Sequence, residues 1–261
     1  MKPLFKYIIP ENKTDGHIHL FNQSTQISLP KNYDYDIMVG FMDIEFDKDN
    51  VNTVRMYDEF FKRYDSSKHI ILATGKSKEE IFEVFETHKD KISGFGELKM
   101  YDEYMGEKVP YKKISFLRDI CGFSRKHGCL PIYIHWELSD KKSSTQLENI
   151  LINFPDIPIV LCHCGLSDDN KEFSFAQAIK LYNNYSNLWM DISYNTLDYL
   201  HNNPMLIFNL NKDRIILGTD LNIKITKDKN KHKIAPILAK VEDLRNYINT
   251  DFNIKKLFKR A

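Results

Sequence analysis

Two hydrophobic periods alternate along this chain of 261 residues. Short apolar runs rich in Ile and Val are separated by longer stretches in which apolar residues recur every three or four positions, which predicts strands alternating with amphipathic helices. The strand candidates are 14–20 (TDGHIHL), 36–44 (DIMVGFMDI), 69–74 (HIILAT), 92–100 (ISGFGELKM), 130–136 (LPIYIHW), 157–163 (IPIVLCH), 187–193 (NLWMDIS) and 214–220 (RIILGTD). Helices are expected near 51–64, 77–89, 111–127, 144–154, 172–184, 196–208 and 233–248. The stretch 77–89 shows the logic. Ser77 is a suitable N-cap, Glu79 and Glu80 fall in the first turn, and Ile81, Val84 and Phe85 make an apolar stripe. Residues 21–34 read as loop.

Eight strands alternating with helices is the arithmetic of an α/β fold closed into a parallel (β/α)8 TIM barrel, and the length suits one. A doubly wound open sheet usually has fewer strands and a Gly-rich loop after the first. Here the first strand ends in His-Ile-His. No internal repeat, low-complexity tract or Pro/Gly-rich linker divides the chain, so a single domain spanning 1–261 is expected.

Composition narrows the function. With 42% hydrophobic and 13% aromatic residues the chain can bury a large core. Its 37 basic and 36 acidic side chains leave a formal charge of +1, so no global field draws it to nucleic acid or to an anionic membrane. Only seven of the basic residues are Arg, a skew that fits genomic base composition better than recognition chemistry. The first ten residues are too little apolar for a signal peptide, and nothing approaches the roughly 20 apolar residues of a membrane span. The four cysteines, Cys121, Cys129, Cys162 and Cys164, then read as reduced thiols of a soluble cytoplasmic protein.

The histidines carry the chemistry. His17, His19, His135 and His163 fall at or near the C-terminal ends of predicted strands, where barrel enzymes place their catalytic groups. Strand side chains alternate, so His17 and His19 point one way and Ile18 the other, which aims two imidazoles at one point on the barrel axis. The last strand ends in Gly218-Thr219-Asp220 and brings a carboxylate beside the first strand once the barrel closes. Two His from one strand, one or two from across the barrel and one Asp form a nitrogen/oxygen set suited to zinc, manganese or iron. An isolated His-x-His in a strand is a weak signal; Asp-x-His-x-His on strand one with His on five and six and Asp on eight is a much stronger one. A metal with an open position would acidify a bound water to a pKa of about 7.

The opening Asp15-Gly16-His17-Ile18-His19 resembles the amidohydrolase superfamily of metal-dependent hydrolases. The nearer likeness is to its amidohydrolase-2 branch, which includes the aminocarboxymuconate-semialdehyde decarboxylase-like proteins. That resemblance runs through Pro131–Trp136, Val160–Gly165 and Leu217–Asp220 to a tail, Asn253–Phe258, similar to the Asn-x-x-x-Leu-Phe ending of the branch. It implies that His17, His19, His135 and Asp220 ligate one metal. His163 would polarise a substrate oxygen or ligate a second ion. Asp220 would double as the general base, with Asp15 fixing an imidazole or closing the strand end, or serving as a simple strand-entry carboxylate. Binuclear relatives bridge two ions with a Glu or a carboxylated Lys on the fourth strand, where this chain has Glu97 and Lys99 on one face. One tight site with Glu97 near it, holding zinc before manganese or iron, is the favoured expectation. Relatives are often homodimers, but no stripe here singles out an interface.

Other residues weigh less. By alternation Cys162 and Cys164 should face the helix layer, away from His163, as core residues. Trp136, Glu137, Tyr194 and Asn195 follow strand ends and are candidates to line a pocket, with Trp136 and Tyr194 taken as substrate-binding. His69, His88, His127, His201 and His232 are assigned no chemistry. The run 224–233 is a solvated loop or a basic rim for an anionic substrate.

The expected activity is therefore hydrolysis of an amide, lactone or ester bond of a small molecule through a metal-activated water. The same scaffold supports a non-oxidative decarboxylase. A TatD-type deoxyribonuclease shares the His-x-His barrel and a Gly-Glu on the fourth strand. This chain, however, has Leu98-Lys99 where those enzymes continue Gly-Leu-Asp, and Gly218 where they carry Glu. The PHP phosphoesterases also open with His-x-His, but their later ligand pattern is not visible. A binding protein that keeps the metal and has lost catalysis is the remaining class.

Overall fold

The apolar runs line up side by side as a parallel barrel. The computed structural model describes residues 14–20, 37–42, 52–63, 69–100, 103–104, 107–108, 110–193, 195–203, 205–208, 210–222 and 231–259. Its elements in chain order are β1 Thr14–Leu20, β2 Ile37–Met42, α1 Thr53–Arg63, β3 Ile70–Ala73, α2 Lys78–His88 and β4 Ile92–Lys99. A short antiparallel pair, β5 Glu103–Tyr104 and β6 Glu107–Lys108, leads into α3 Pro110–Lys126. Then follow β7 Ile132–His135, α4 Lys141–Asn153, β8 Ile159–Leu161, α5 Lys171–Asn184 and β9 Leu188–Ile192. The chain continues through α6 Asn195–Asn202, α7 Met205–Phe208, β10 Ile215–Leu217, β11 Leu221–Asn222, α8 Lys231–Arg245 and α9 Thr250–Leu257.

Hydrogen bonding orders the main sheet β10-β9-β8-β7-β4-β3-β2-β1-β11, with every pairing parallel. β10 and β11 are two halves of one course, broken at Gly218-Thr219-Asp220. The break is what joins the two edges. Gly218 N–H donates to Ile192 O on the β9 side, Asp220 N–H donates to His17 O on the β1 side, and β11 pairs Leu221 with Ile18. A side chain at 218 would collide with His17 Cβ and backbone, so the close approach of the turn to β1 requires glycine there. The result is the (β/α)8 TIM barrel that the alternation of periods predicts.

Strand alternation sorts the core into two parts. Val39, Leu72, Tyr133, Val160, Trp189 and Ile216 form one buried cluster inside the barrel. Their strand neighbours Ile71, Ile132, Ile134, Leu161, Met190 and Leu217 join the cluster between sheet and helices. α2 forms as expected, with Ser77 Oγ accepting the Glu80 N–H at 3.2 Å and Ile81, Val84 and Phe85 buried. α4 starts three residues earlier than its periodicity suggests, because Asp140 Oδ1 accepts the Ser143 N–H.

Several elements differ from the sequence reading. The expected helix over 196–208 is split into α6 and α7, and the interruption contains Pro204, a residue without an N–H to give. The sixth and eighth strands stop at Leu161 and Leu217, short of His163 and Asp220. The helix α9 has no counterpart in the predicted set. It packs on β10 and β1, where Thr250 Oγ1 accepts the Leu217 N–H and Asn253 Nδ2 donates to Lys212 O and Ile215 O, both at 2.6 Å. Ile254 and Leu257 enter the barrel-interior cluster, and the Phe258 ring stacks 6.4 Å from Tyr133. The Asn-x-x-x-Leu-Phe ending thus plugs the strands' N-terminal end. The expected loop at 21–34 lies outside the described residues. Among those described, no helix is long and apolar enough to cross a membrane.

Candidate metal centre

β1 carries Asp15, His17 and His19 on its inner face, all buried, with Ile18 in the outer core. Asp15 does not reach the imidazole cluster. Its carboxylate accepts the Thr219 N–H at 2.9 Å, the Thr219 hydroxyl at 2.6 Å and the His17 N–H at 3.1 Å. It therefore staples β1 to the 218–220 turn. Asp220 has φ 53°, a left-handed conformation that Asp tolerates better than most residues, and this turns its carboxylate toward β1.

Two further groups reach the cluster through irregular backbone. Phe95 faces the helices, so plain alternation would send Glu97 outward with it. The β4–β7 register instead shifts between Phe95 and Leu98, with Gly96 at φ 125°, and Glu97 turns inward. Likewise Leu161 faces outward, and His163 would follow it in a continued strand. The chain leaves β8 through a 3-10 turn, Cys162–Gly165, in which His163 and Cys164 both have φ 52°. The turn brings the His163 ring to 5.1 Å from that of His17 and 4.6 Å from that of His135.

This corrects the expectation for the cysteines. Cys162 does not face the helix layer. It belongs to the barrel-interior cluster, with its sulfur within 4.8 Å of ligand atoms of His17 and Asp191, because alternation from Leu161 puts 162 inside. Cys164 alone joins the outer core.

The functional atoms converge closely. His17 Nε2 lies 3.3 Å from His19 Nε2 and 3.3 Å from Asp220 Oδ1, and His19 Nε2 lies 2.9 Å from the same oxygen. Glu97 stands between two groups. Its Oε2 is 3.4 Å from His19 Nε2, while Oε1 is 2.9 Å from His135 Nδ1 and 3.5 Å from His163 Nε2. His163 Nε2 is also 3.9 Å from Asp220 Oδ2. The six residues singled out at the strand ends are thus brought together. Trp136 is not: it is buried in the outer core, donating its indole N–H to Ser143 Oγ at 2.9 Å. Lys99 is half-buried, in register with His135. Tyr194 lies outside the described residues, as does the side chain of Asn195.

Two residues of the site have no part in the sequence reading. Asp191 follows Trp189 at a spacing of two on the inner face of β9, and Ser193 comes two further on, just past the strand's end. Asp191 Oδ2 lies 2.7 Å from His17 Nδ1 and accepts the Ser193 hydroxyl at 2.6 Å, and Ser193 Oγ lies 2.8 Å from His163 Nδ1. The available signal was an Asp in the middle of an apolar strand, on the same face as its Trp.

Electrostatics follow from the crowding. Burial pulls the His17 imidazole toward its neutral form, but the Asp191 and Asp220 carboxylates outweigh it and hold its pKa well above the ordinary value. Burial would protonate Glu97, yet His135 and the other imidazoles hold it well below the usual carboxylate range. Asp220 is held low in the same way, against burial, by His163 and His17. Burial lowers the pKa of His135, and Glu97 only partly offsets that.

The donor set fits a divalent cation. With its Nδ1–H given to Asp191, His17 aims Nε2 at a carboxylate oxygen and at a second imidazole nitrogen, contacts that either a second ring proton or a bound cation satisfies. Acceptors aimed at acceptors in a buried site repel one another unless positive charge lies between them. The triads His17–His19–Asp220 and His17–Glu97–His163 each hold their ligand atoms within 4.8 Å, and every ligand is nitrogen or oxygen.

No protein-family model and no curated protein matches the chain. Solved structures do. It is similar to dihydroorotase from Campylobacter jejuni, with TM-score 0.59 and 15% identity over 96% of this chain and 84% of that one. It is similar to a protein provisionally named 2-pyrone-4,6-dicarboxylic acid hydrolase from Pseudomonas putida, with TM-score 0.62 and 14% identity over 95% and 97% of the two chains. A Burkholderia multivorans amidohydrolase with bound zinc matches with TM-score 0.61 and 9% identity over 95% and 99%. At such identities the likeness establishes the barrel fold.

Proposed function

We propose that this protein is a metal-dependent hydrolase of the amidohydrolase type, acting on an amide, lactone or ester bond of a small molecule. The observation that carries the reading is the convergence of imidazoles and carboxylates from β1, β4, β7 and the turns after β8 and β10 on one buried point, a nitrogen and oxygen donor set that suits a divalent cation. The similar structures support it: two are named as hydrolases, and one, called an amidohydrolase, holds zinc. His17, His19 and Asp220 would hold one ion. Glu97 offers one oxygen toward His19 and the other toward His135 and His163, so Glu97, His135 and His163 would hold a second ion where one is bound. Zinc leads manganese and iron as the resident metal. Bound there, the metal supplies Lewis acidity and a water acidified toward neutral pH.

The protein's own part is to hold and move a proton. Asp220, kept ionised by the imidazoles around it, takes the proton of the attacking water and returns it to the leaving group. His163, beside Glu97, Asp220 and His135, would orient the substrate carbonyl or a second ion. The near-zero net charge argues against a nucleic-acid substrate. We place the protein in the cytoplasm.

The test is metal analysis with turnover. Protein purified with ample zinc, manganese and iron should carry one or two ions per chain, and stripping them should abolish turnover of a panel of lactones, cyclic amides and carboxylates. A metal-free protein under those conditions overturns the reading. Release of carbon dioxide without net addition of water would instead assign a non-oxidative decarboxylase.

A further inference from the structure

We infer that Asp191 on β9 and Ser193 just after it are a proton-wired positioning pair that fixes His17 and His163 as Nδ1–H tautomers, so that both Nε2 lone pairs point into the donor cluster. The inference rests on the reading of that cluster as a metal site and deepens it.

Counting protons leads there. A carboxylate only accepts, so at 2.7 Å the His17 Nδ1 must donate to Asp191 Oδ2, and at 2.6 Å the Ser193 hydroxyl must donate to the same oxygen. Ser193 has one proton, and it is spent on Asp191. At 2.8 Å from His163 Nδ1, the Ser193 oxygen can therefore only accept, and His163 Nδ1 must carry the hydrogen. The two imidazoles are wired from one carboxylate, one directly and one through a hydroxyl. Each presents its remaining nitrogen where a cation needs it. The His163 backbone N–H also points at Asp191 Oδ2, at 3.4 Å, which ties the left-handed turn to the same group.

Folding alone gives no reason for this arrangement. Asp191 is fully buried inside the barrel, and its Oδ1 has no hydrogen-bond partner among the described residues. Burying a carboxylate with one oxygen unmatched costs more than a well-packed apolar residue would. What the carboxylate does that an apolar residue cannot is choose which ring nitrogen keeps the proton. Imidazoles that ligate metals are commonly oriented by such an acceptor, whose loss costs roughly 10- to 100-fold in metal affinity.

The experiment uses Asp191→Asn and Ser193→Ala. An amide at 191 can donate to His17 Nδ1, which moves the ring proton to Nε2 and blocks the ligating lone pair. In histidine-labelled, metal-stripped wild-type protein, taken to a pH at which the rings have lost their second proton, 15N chemical shifts should report Nδ1–H tautomers for His17 and His163. In Asp191→Asn the His17 signals should switch to the Nε2–H pattern. Zinc affinity measured by competition with a chelator should fall roughly 10- to 100-fold in Asp191→Asn. It should fall less in Ser193→Ala, which releases only His163. A residue that merely supports the fold would change the melting temperature without changing tautomers. Neutral rings that carry their single proton on Nε2 in the wild type, or wild-type zinc affinity in a folded Asp191→Asn, would overturn the wiring. Should Asp191→Asn fail to fold, the wild-type spectrum and Ser193→Ala still decide. Wild-type protein that shows the Nδ1–H pattern and binds no metal would instead refute the metal-centre reading and leave the wiring standing.

Discussion

At the scale of single residues, period two accounts for some of the site and is defeated by the rest. His17 and His19 stand two apart in β1 and share a face as the spacing predicts, with Ile18 outside, even though β1 shifts register against β2 between Asp15 and Ile18. Glu97 and His163 reach the same point only because the backbone departs from regular geometry, by a register shift in one case and a left-handed turn in the other. Neither departure has a hydrophobic pattern to announce it. That is why Cys162 was expected on the wrong side. Asp191 was hidden for a different reason: nothing local says which face of β9 looks inward. Asp220 is the residue whose role is most directly tested. Asn adopts left-handed φ as readily as Asp, so Asp220→Asn should keep the turn, the N–H bond to His17 O and the fold. It removes the proton acceptor, and turnover of the metal-loaded protein should fall by about 100-fold or more. Rates measured beside a circular-dichroism melt would check this, and an unchanged rate would strip Asp220 of its role.

At the scale of elements, the strands were legible because apolar runs bounded by polar residues admit few other readings, and most helices because their stripes repeat. α9 was legible only as a terminal motif, and its purpose is visible only in three dimensions. Ile215 O and Leu217 N–H point to the side that β10 does not pair, and Asn253 and Thr250 satisfy them. Asn253→Ala leaves two carbonyls without their donor and frees the plug. A loss of about 2–4 kcal/mol is expected, read as a lower midpoint in urea, since each buried group left unsatisfied costs about 1–3 kcal/mol. A second element carries a pH signature. His88, at the end of α2, packs 5.1 Å from the Phe61 ring and 6.2 Å from the Tyr57 ring of α1. Burial lowers its pKa from the ordinary 6.5, and the nearby Asp58 only partly restores it. Because the folded pKa lies below the unfolded one, the unfolded chain binds the extra proton between the two values. His88 therefore contributes its full stability above about pH 6.5, and that share is lost as pH falls through the folded value. Urea midpoints between pH 5 and 7 should slope accordingly, and His88→Gln should flatten the slope. A parallel slope in the variant would assign the effect to other groups.

At the scale of the whole molecule, the donors come from positions as far apart as 17 and 220 and meet across the mouth of the barrel. Their order along the sequence could be read, and their convergence follows from closure together with the register shift at Glu97 and the left-handed turn at His163. A cation there would bind the folded chain and find no comparable cluster in the unfolded one, so occupancy must appear as stability. At a free concentration a hundred times the dissociation constant, the linkage supplies about 2.7 kcal/mol. For a chain of this length that corresponds to a rise in melting temperature of roughly 5–10 °C. The dependence should be logarithmic in free metal and reversed by chelation. It should be reduced in Asp191→Asn and Asp220→Asn, which weaken the site without touching the helix layer. The stripped barrel supplies the contrast, since its crowded imidazoles and carboxylates must be relieved by protons instead. Scanning calorimetry of stripped protein titrated with zinc measures the shift directly. A melting temperature indifferent to zinc, manganese and iron would mean that the acceptors at the barrel mouth are reconciled by protons alone.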